Sequence, residues 1–532
     1  MEFDYVIVGA GSAGCAIANR LSADPRNKVA LIEAGGKDRS PWIHIPVGYF
    51  KTIKNPALNW MYKTESDPGL NGRALNWPRG KTLGGSSSIN GLLYVRGQAQ
   101  DYDNWRQMGN VGWGWDDVLP LFKRAESWEE GENELRGGGG PLSVSKSRKS
   151  WKIVDAWVKA AQEAGYPYNA DYNGEVQDGV GYFQLTAKDG LRCSAAKAYL
   201  KPARSRQNLT ILTNILTHKI LFDGNKAIGI EGSKSRNNIA IKARKEVILA
   251  AGAIGSPQIL MLSGIGPGHH LQDLGIEVRG EKPGVGRNLQ DHLQARPIFK
   301  CKVPTINTRT VGLYNQAKIG IEYILKQSGP MTMAASLGTG FLKTRPELET
   351  PDIQFHIQPF SSENPSTGLT DPFDAFTASV LQLRPESTGH LELRSTNPQD
   401  HPYIHPNYLS TKLDQDTIVE GIRITRKICR QKSAAEVIIN EHAPGEHFAD
   451  DDYEGLLNWA RDTATTIYHP TGTCKMGNDK NAVVDARLKV HGFERLRVAD
   501  CSIMPIIISG NTNAPAMMIG EKLADMVLED AR

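Results

Sequence analysis

The sequence lacks long apolar runs and an excess of charge of one sign. No stretch approaches the roughly 18 apolar residues needed to span a bilayer. The chain starts at Met1 and runs straight into a strand pattern, without a basic and then apolar leader. The net charge is only +4 over 532 residues with Lys and Arg dispersed, so nucleic acid is not an expected partner. We expect a cytoplasmic protein without a transmembrane segment, for which peripheral membrane contact stays open.

Cysteine is scarce, and neither cysteine nor histidine shows a ligand pattern. The six cysteines include no C-x-x-C pair and none at ligand spacing from a histidine cluster, so reduced thiols are expected. His269, His270, His401 and His405 lie beside glycine or proline in polar segments without a matching acidic pattern. We therefore expect these histidines to be exposed to solvent, and we predict no metal site.

The amino-terminal segment carries a dinucleotide-binding pattern. Residues 4–9 form an apolar run rich in β-branched residues, which predicts a buried parallel strand. The run leads into a glycine-rich turn over residues 9–14, and a helical pattern follows it. A second strand pattern at residues 29–32 ends at the acidic Glu33, 19 positions after Gly14. This order of strand, turn, helix, strand and acid is typical of Rossmann-like units.

Each part of this pattern has a physical role. Gly9 permits the tight turn, Gly11 lets the backbone approach a pyrophosphate, and Gly14 allows the helix to pack close to the strand. The helix amino terminus offers N–H groups and a partial positive charge to the phosphates. Glu33 can accept hydrogen bonds from the adenosine ribose and would repel a 2′-phosphate. The contacts expected from this unit are Gly9, Gly11, Ser12, Ala13, Gly14, Glu33 and Ala34.

Three further segments decide between NAD and FAD. Residues 79–97 (RGKTLGGSSSINGLLYVRG) and 252–266 (GAIGSPQILMLSGIG) resemble the two signatures of the glucose–methanol–choline (GMC) oxidoreductases. Residues 468–477 (YHPTGTCKMG) resemble the active-site segment of that family, and smaller matches lie at 284–292 and 497–500. The resemblance spans nearly the whole chain and is greatest to the bacterial choline-dehydrogenase-like and sorbose-dehydrogenase-like members. It implies FAD as the cofactor.

The glycine- and serine-rich loop at residues 83–88 suits a phosphate or a flavin edge, because it offers backbone N–H groups and hydroxyls with little bulk. A surface loop is the alternative for the same composition. The resemblance implies that Asn90 and Leu93 contact the isoalloxazine, the backbone near Thr217 meets the adenine, and Asp500 lies near the ribityl and phosphate groups. The flavin contacts implied in this way are Gly84, Gly85, Asn90, Gly91, Leu93, Thr217, Tyr468 and Asp500.

One departure from the family pattern concerns the bond between protein and flavin. Some relatives attach FAD covalently through a histidine immediately before the asparagine that matches Asn90. Ile89 stands at that position here and cannot form such a bond. We therefore expect non-covalent FAD.

The flavin motifs are spread over the chain, which predicts a domain assembled from separate stretches. Strand patterns at residues 246–250 and 496–499 adjoin these motifs. Alternating apolar and polar residues at 353–360 and 376–395 predict a half-exposed antiparallel sheet of a substrate domain above the flavin. The predicted fold class is thus mixed α/β, with a Rossmann-like FAD-binding domain and an antiparallel-sheet substrate domain. The predicted division assigns 1–155, 205–295 and 465–532 to the FAD-binding domain, and 156–204 and 296–464 to the substrate domain.

Two residues near the carboxyl end are candidates for catalysis. Hydride transfer from an alcohol requires removal of the hydroxyl proton, a task that imidazole suits near neutral pH. A packed core histidine is the alternative for His469, but its place in the family segment favours the base. Relatives carry His or Asn at the position of Asn511, which can orient the alcohol but cannot take its proton. Two alternatives stay open. Asn511 can instead be a turn or cap residue before the closing helix at 517–528, and Asn513 can be the residue that orients the alcohol.

The sequence therefore predicts an FAD-dependent alcohol dehydrogenase or oxidase that converts an alcohol to an aldehyde. We expect a neutral or polyhydroxylated primary alcohol as the donor and a quinone, rather than oxygen, as the faster acceptor. The alternatives are an oxidase that makes hydrogen peroxide and a non-catalytic or diverted flavoprotein of the same fold. Choline stays a candidate donor, because a quaternary ammonium needs only an aromatic cage or a buried carboxylate.

Overall fold

The structure is a computed structural model that describes residues 1–235, 237–363 and 369–531. Its first sheet is built on the amino-terminal strand pattern. Strand Glu2–Val8, buried after its first residue, pairs in parallel with Val29–Glu33 on one side and Asn237–Leu249 on the other. Helix Ser12–Leu21 follows the first strand and packs its apolar residues into the same core. The predicted strand–turn–helix–strand unit is confirmed.

This first sheet has seven strands in the described part of the chain. Leu209–Thr213 extends it in parallel beyond Val29–Glu33, and Leu496–Val498 pairs in parallel with Asn237–Leu249. Lys226–Lys234 and Ile215–Asp223 continue the sheet with antiparallel pairing. Because the parallel strands end at one edge, the turns that follow them meet there, where open α/β sheets bind ligands.

The second sheet has eight strands in the described residues, and all of its pairings are antiparallel. Its main path runs, in spatial order, through Ile438–Ala443, Ile298–Cys301, Ala375–Gln382, Ile353–Gln358, Gly338–Leu342 and Gly179–Tyr182. Leu293–Ala295 pairs with both Ala375–Gln382 and Thr465–Thr466. The predicted mixed α/β fold is confirmed. The division of the chain into five segments stays a prediction. Two of its boundaries, at 295/296 and 464/465, fall at the ends of strands Leu293–Ala295 and Thr465–Thr466.

The prediction that this second sheet is half-exposed is wrong. Ile353–Gln358 and Ala375–Gln382 are buried at every residue. The apolar residues of Ile353–Gln358 belong to a core that includes residues of helices Lys152–Glu163 and Lys412–Cys429. The alternate side chains His356 and Gln358 line an internal cavity. The polar pattern of this strand therefore marks a cavity wall instead of a solvent face. The predicted strand over 376–395 also ends earlier, at Gln382.

The remaining elements surround the two sheets. The other helices are Pro41–His44, Tyr49–Thr52, Ala99–Gln107, Trp115–Ala125, Lys201–Ala203, Gly252–Leu262, Gly268–Asp273, Ile306–Arg309, Leu313–Lys326, Lys432–Ala435, Tyr453–Thr463 and Asn513–Asp530. Tighter or wider helical turns are Pro46–Gly48, Pro68–Leu70, Gly85–Ser88, Ala196–Leu200, Pro330–Thr332 and Cys501–Ile503. The short strands are Tyr62–Lys63, Asn76–Trp77, Glu126–Trp128, Leu142–Lys146, Gln184–Leu185, Ala187–Lys188, Leu191–Arg192, Ile265–Gly266, Gly280–Glu281, His390–Glu392 and Tyr403–His405. Among the described helices, none is long and apolar enough to cross a membrane.

Candidate active site

A cavity of about 410 Å³ lies between the two sheets, at the edge where the parallel strands end. Its walls include Val8 and Ile32 of the first sheet and His356 and Gln358 of the second. Both predicted catalytic residues line it, together with most of the predicted cofactor contacts. These contacts are Gly9, Gly11, Ser12, Ala13, Glu33, Ala34, Gly85, Asn90, Gly91, Leu93, Thr217, Tyr468 and Asp500.

Two predicted cofactor contacts, Gly14 and Gly84, do not line the cavity. A Cβ atom at Gly14 would lie 1.9 Å from the carbonyl oxygen of Gly9, so this glycine lets the helix pack on the turn. Gly84 has a φ of 87° and donates its N–H to the carbonyl of Ala10 at 2.8 Å. Both residues therefore support the cavity wall from behind, and their contact with the cofactor stays a prediction.

The first glycine turn leaves room for a pyrophosphate. Gly11 precedes the first residue of helix Ser12–Leu21, whose first turn holds no acidic residue and has no capping side chain. A Cβ atom at Gly85 would lie 2.7 Å from the Cα atom of Gly11, so the two glycine-rich segments meet with backbone only. The free N–H groups and the positive end of the helix dipole fit the phosphates of FAD.

The adenosine end of the cavity is marked by Glu33 and Thr217. The Glu33 carboxylate accepts hydrogen bonds from the N–H groups of Ala10 (3.0 Å) and Gly35 (2.8 Å). Burial raises the pKa of Glu33 to about 7. Each carboxylate oxygen keeps a second lone pair, which ribose hydroxyls can use. The buried hydroxyl of Thr217 has no partner within the described residues. These polar groups fit the adenosine half of FAD.

The loop expected to lie along the flavin is held by Arg192, which the sequence did not single out. Its guanidinium donates to the side-chain oxygen of Asn90 at 2.6 Å and to the backbone oxygen of Asn90 at 2.8 Å. Burial lowers the pKa of Arg192 to about 9. Ile89, also in the cavity wall, is buried beside Ile43 and Leu58.

Asp500 lines the cavity, but its carboxylate is occupied by neighbouring groups. It accepts hydrogen bonds from the N–H of Gly252 (2.8 Å), the hydroxyl of Ser256 (2.6 Å) and the N–H of Ser502 (2.8 Å). Burial raises the pKa of Asp500. Asp500 thereby stabilises the start of helix Gly252–Leu262, and its predicted proximity to the ribityl and phosphate groups stays a prediction.

His469 lies in a chain of hydrogen bonds that determines which ring nitrogen carries its hydrogen. Nε2 of His292 is 2.8 Å from the carbonyl oxygen of Leu383, which can only accept, so this nitrogen carries a hydrogen. Burial lowers the pKa of His292 to about 4, so the ring is neutral and its Nδ1 is an acceptor. That Nδ1 lies 2.9 Å from Nδ1 of His469, which therefore donates. Nε2 of His469 is therefore unprotonated and can accept a hydrogen bond.

The backbone around His469 is also fixed. Asp291 accepts the N–H of His469 at 2.6 Å and the hydroxyl of Thr466 at 2.5 Å, as well as the hydroxyl of Tyr408. Burial raises the pKa of Asp291 to about 6. Tyr468, just before His469, has a φ of 72° in the left-handed region, which few residues other than glycine adopt. Burial lowers the pKa of His469 well below its usual value, and the cationic forms of nearby histidines and Arg79 act in the same direction.

Asn511 lies beside His469 and does not cap the closing helix. Its amide nitrogen donates to Nε2 of His469 at 3.0 Å, and its oxygen is 3.4 Å from the amide nitrogen of Gln354. Thr512 takes the cap position of helix Asn513–Asp530, so the cap interpretation of Asn511 is wrong. The competing Asn513 accepts the hydroxyl of Ser12 at 2.7 Å and thus lies at the phosphate end of the cavity.

Sequence reasoning missed two histidines of the site, His356 in the cavity wall and His292 behind His469. Nε2 of His356 is buried without a partner in the described chain, and burial lowers the pKa of His356 to about 3. The polar alternation at residues 354–358 is the available signal, although the same alternation also predicts a solvent-exposed strand face. His292 lies within the motif at 284–292, which indicated the family but assigned no role to this residue.

The four histidines considered for metal binding do not share one environment. His269 is exposed and pairs with Asp273 at 2.9 Å, as expected. The other three are half-buried, so the prediction of solvent exposure is wrong for them. His270 accepts the N–H of Leu393, while His401 and His405 pack against aromatic rings. Within the described residues, no group of three or more potential ligand side chains could hold a metal.

Comparison with known proteins identifies the family. The GMC oxidoreductase amino-terminal and carboxyl-terminal family models match residues 3–294 and 385–520. Human mitochondrial choline dehydrogenase is 43% identical over 99% of this chain and 90% of its own length. An alcohol dehydrogenase [acceptor] from Pseudomonas putida is 41% identical over 99% of this chain and 96% of its own length. The structure of an FAD-dependent oxidoreductase from Chaetomium thermophilum superposes with a TM-score of 0.90, at 28% identity over 100% of both chains. The chain therefore belongs to the GMC oxidoreductase family and is an FAD-dependent enzyme that oxidises the CH–OH group of alcohols.

Proposed function

We propose that the enzyme oxidises a primary alcohol to an aldehyde with His469 as the catalytic base, and that a quinone is its faster electron acceptor. The observation that carries the base assignment is the hydrogen-bond chain from Leu383 through His292 to His469, which leaves Nε2 of His469 unprotonated beside Asn511. Bound FAD supplies the acceptor for the hydride that leaves the alcohol carbon.

The residues of this chain provide the proton chemistry. Nε2 of His469 takes the hydroxyl proton of the alcohol as the hydride leaves. The amide N–H of Asn511, now 3.0 Å from that nitrogen, donates to the alcohol oxygen as negative charge builds on it. His292 keeps the imidazole in the required orientation because it accepts the hydrogen on Nδ1.

We propose that FAD is held without a covalent bond. Ile89, in place of the linking histidine, is buried among apolar side chains in the cavity wall and offers no nucleophile. Precipitation of the protein with acid should therefore release yellow FAD into the supernatant. Flavin that remains with the precipitated protein would contradict this assignment.

Choline is the second candidate donor, since the relative named above is a choline dehydrogenase. The aromatic rings in the cavity wall, which include Tyr49, Phe50 and Phe360, favour it because a quaternary ammonium binds to aromatic faces. Two acidic side chains line the cavity among the described residues, and both accept hydrogen bonds from neighbouring groups of the protein. The site therefore supports an alcohol without positive charge, in line with the expected neutral or polyhydroxylated donor.

Anaerobic reduction of the flavin tests the donor, and reoxidation tests the acceptor. Purified enzyme is mixed with primary alcohols, polyols and choline, and the loss of yellow absorbance is followed. The reduced enzyme is then mixed with air-saturated buffer or with a water-soluble quinone. We expect bleaching by uncharged primary alcohols and faster reoxidation by the quinone. Rapid reoxidation by air with stoichiometric hydrogen peroxide would instead identify an oxidase.

We also propose a cytoplasmic location with peripheral membrane contact. All six cysteines carry free thiols, which suits a reducing compartment. Helix Leu313–Lys326 exposes a set of apolar side chains, and its lysines are exposed as well. An amphipathic helix of this composition favours an anionic membrane surface. The apolar side chains are Leu313 (87% exposed), Tyr314 (80%), Ile321 (57%), Ile324 (78%) and Leu325 (75%).

Co-sedimentation with lipid vesicles tests this contact. The enzyme should sediment with vesicles that contain anionic lipid, and the double substitution Ile324→Asp with Leu325→Asp should abolish this. Val111→Asp, at a site that is 79% exposed elsewhere in the chain, is the matched control. Equal sedimentation of all three proteins would contradict the proposed contact.

A further inference from the structure

Arg296 lies in the cavity wall beside the second sheet, and most of its hydrogen-bonding capacity is unused among the described residues. It follows strand Leu293–Ala295 and lines the cavity together with Gln358 and Ser362. Within the described residues its guanidinium makes one hydrogen bond, a long one of 3.4 Å to the side-chain oxygen of Gln358. In the described part of the chain, no acidic group lies within 4 Å of it. A guanidinium has five N–H donors, so at least four of those of Arg296 have no hydrogen-bond partner among the described residues.

The other cations of the cavity wall differ from Arg296 in their surroundings. The guanidinium of Arg79 donates to the backbone oxygens of Pro78 and Tyr468, which fixes it as part of the wall. Lys54 is exposed at the mouth of the cavity, where water solvates its charge. Arg296 thus combines a sheltered position with free donors, which is the arrangement that binds a carboxylate in two parallel hydrogen bonds.

No carboxylate of the described cavity wall can neutralise Arg296 directly. The acidic residues of the wall are Glu33 and Asp500. Glu33 binds the backbone at Ala10 and Gly35, and Asp500 binds the start of helix Gly252–Leu262. Asp371, outside the cavity wall, acts on Arg296 electrostatically, but no ion pair within 4 Å joins them among the described residues. A cation in a sheltered site without a directly paired carboxylate is costly, so the geometry favours a ligand that brings a negative charge.

A row of polar side chains connects Arg296 to the region of the catalytic base. Gln358, which accepts from Arg296, donates to the hydroxyl of Ser336 at 3.4 Å. That hydroxyl lies 3.4 Å from Nδ1 of His356, whose Nε2 has no partner among the described residues. His356 is close enough to His469 to affect its pKa. A molecule that reaches from Arg296 to His469 therefore passes groups that can bind further hydroxyls.

We propose that Arg296 binds a carboxylate of the donor, so that the preferred substrate is a primary alcohol that also carries a carboxylate group. This inference rests on the proposed oxidation of a primary alcohol, and it replaces the uncharged donor expected there with an anionic one as the preferred substrate. Binding of the carboxylate at Arg296 would direct the hydroxyl at the other end of the molecule to Nε2 of His469. A quaternary ammonium at the same place would meet a like charge.

Substrate pairs in which the carboxylate is replaced by an uncharged group test this inference. The donors are hydroxy acids of three to six carbons with a terminal hydroxyl, and gluconate. Each is compared with its neutral partner, the hydroxy amide or the alditol, and with choline. The readout is kcat/KM for anaerobic flavin reduction at saturating FAD. We expect at least one carboxylate to exceed its neutral partner about tenfold or more, since hydrogen bonds to charged groups contribute that much.

Two variants distinguish direct binding of the carboxylate by Arg296 from a general attraction of anions by the positive charges of the cavity wall. Arg296→Gln keeps hydrogen-bond donors but removes the charge, and should lower kcat/KM for the carboxylate about 10- to 100-fold while changing that for the neutral partner less than threefold. Lys54→Gln removes a cation at the cavity mouth and should change both less than threefold. Binding of a carboxylate that lacks a hydroxyl, such as butanoate, should perturb the flavin absorbance of the wild type and not of Arg296→Gln.

The possible results distinguish this inference from the proposed function. If uncharged alcohols or choline reduce the flavin as well as or better than every carboxylate donor, the carboxylate site is wrong and alcohol oxidation stands. An equal loss for charged and neutral donors in Arg296→Gln would also overturn the site. If no alcohol of any charge reduces the flavin, both the inference and the proposed function fail.

Discussion

The hydrogen on Nδ1 of His469 determines which of its two ring nitrogens can act as a base. With Nδ1 donating to His292, the lone pair lies on Nε2, the nitrogen beside Asn511 in the cavity. The opposite tautomer would place the lone pair against His292 and leave no base toward the substrate. His292 is thus a positioning residue, while His469 and Asn511 are the groups that would touch the alcohol.

Substitution of His292 should show this positioning. His292→Leu removes the acceptor for Nδ1 of His469, and we expect flavin reduction to slow by about tenfold or more, because a misoriented base loses much of a 10²–10⁴-fold contribution. His292→Asn can place its side-chain oxygen near the position of Nδ1 and should recover part of the rate. Stopped-flow reduction at saturating alcohol measures this. Equal rates of flavin reduction in His292→Leu and His292→Asn, with unchanged FAD content, would contradict the role of His292 in fixing the tautomer of His469.

The pH dependence of flavin reduction should follow the lowered pKa of His469. The base must be unprotonated, and burial lowers its pKa well below the usual 6.5. A lowered pKa keeps the imidazole neutral at more acidic pH, so the rate should stay near its maximum as the pH falls through 6.5. It should decrease only below that value. The prediction would be contradicted if the rate fell to half of its maximum at pH 7 or above. The same pH dependence must be absent in His469→Gln, which would show that it comes from His469.

The first glycine turn and its helix depend on two glycines in different ways. A Cβ atom at Gly14 would lie 1.9 Å from a backbone oxygen, whereas a Cβ atom at Gly11 would meet nothing closer than 4.0 Å in the chain itself. Gly14→Ala should therefore destabilise the fold by about 1–3 kcal/mol, the usual cost of overpacking. Gly11→Ala should leave the thermal midpoint of the FAD-free protein unchanged but weaken FAD binding. Thermal unfolding and FAD titration of both variants measure these effects. Equal thermal midpoints for Gly11→Ala and Gly14→Ala would contradict the different roles of the two glycines.

Elements with a strong pattern could be predicted from sequence, and those with a mixed pattern could not. The β-branched run at residues 4–9 and the acid after the second strand have one physical interpretation, and the structure confirms the unit. The alternation at residues 353–358 has two physical interpretations, because a polar strand face can meet either solvent or an internal cavity. Sequence periodicity does not distinguish them, since burial of that face depends on a partner domain distant along the chain.

The whole molecule brings together residues that are far apart in sequence. His292, His469 and Asn511 come from three different stretches and meet within hydrogen-bond distance. The sequence identified His469 and Asn511 because their segments resemble a family. It missed Arg192 and Arg296, because a guanidinium that organises a loop or faces a cavity has no local sequence signal. Their roles depend on long-range contacts that only the assembled fold displays.

The most direct test of this account is anaerobic flavin reduction by an alcohol in the wild type, His469→Gln and Asn511→Ala. All three should retain FAD. We expect His469→Gln to reduce its flavin about 10²–10⁴-fold more slowly than the wild type at neutral pH, since it lacks the positioned base. The loss in Asn511→Ala should be smaller, because the base remains and one hydrogen bond to the alcohol oxygen is removed. Reduction of the His469→Gln flavin at a rate near that of the wild type would contradict the assignment of His469 as the base.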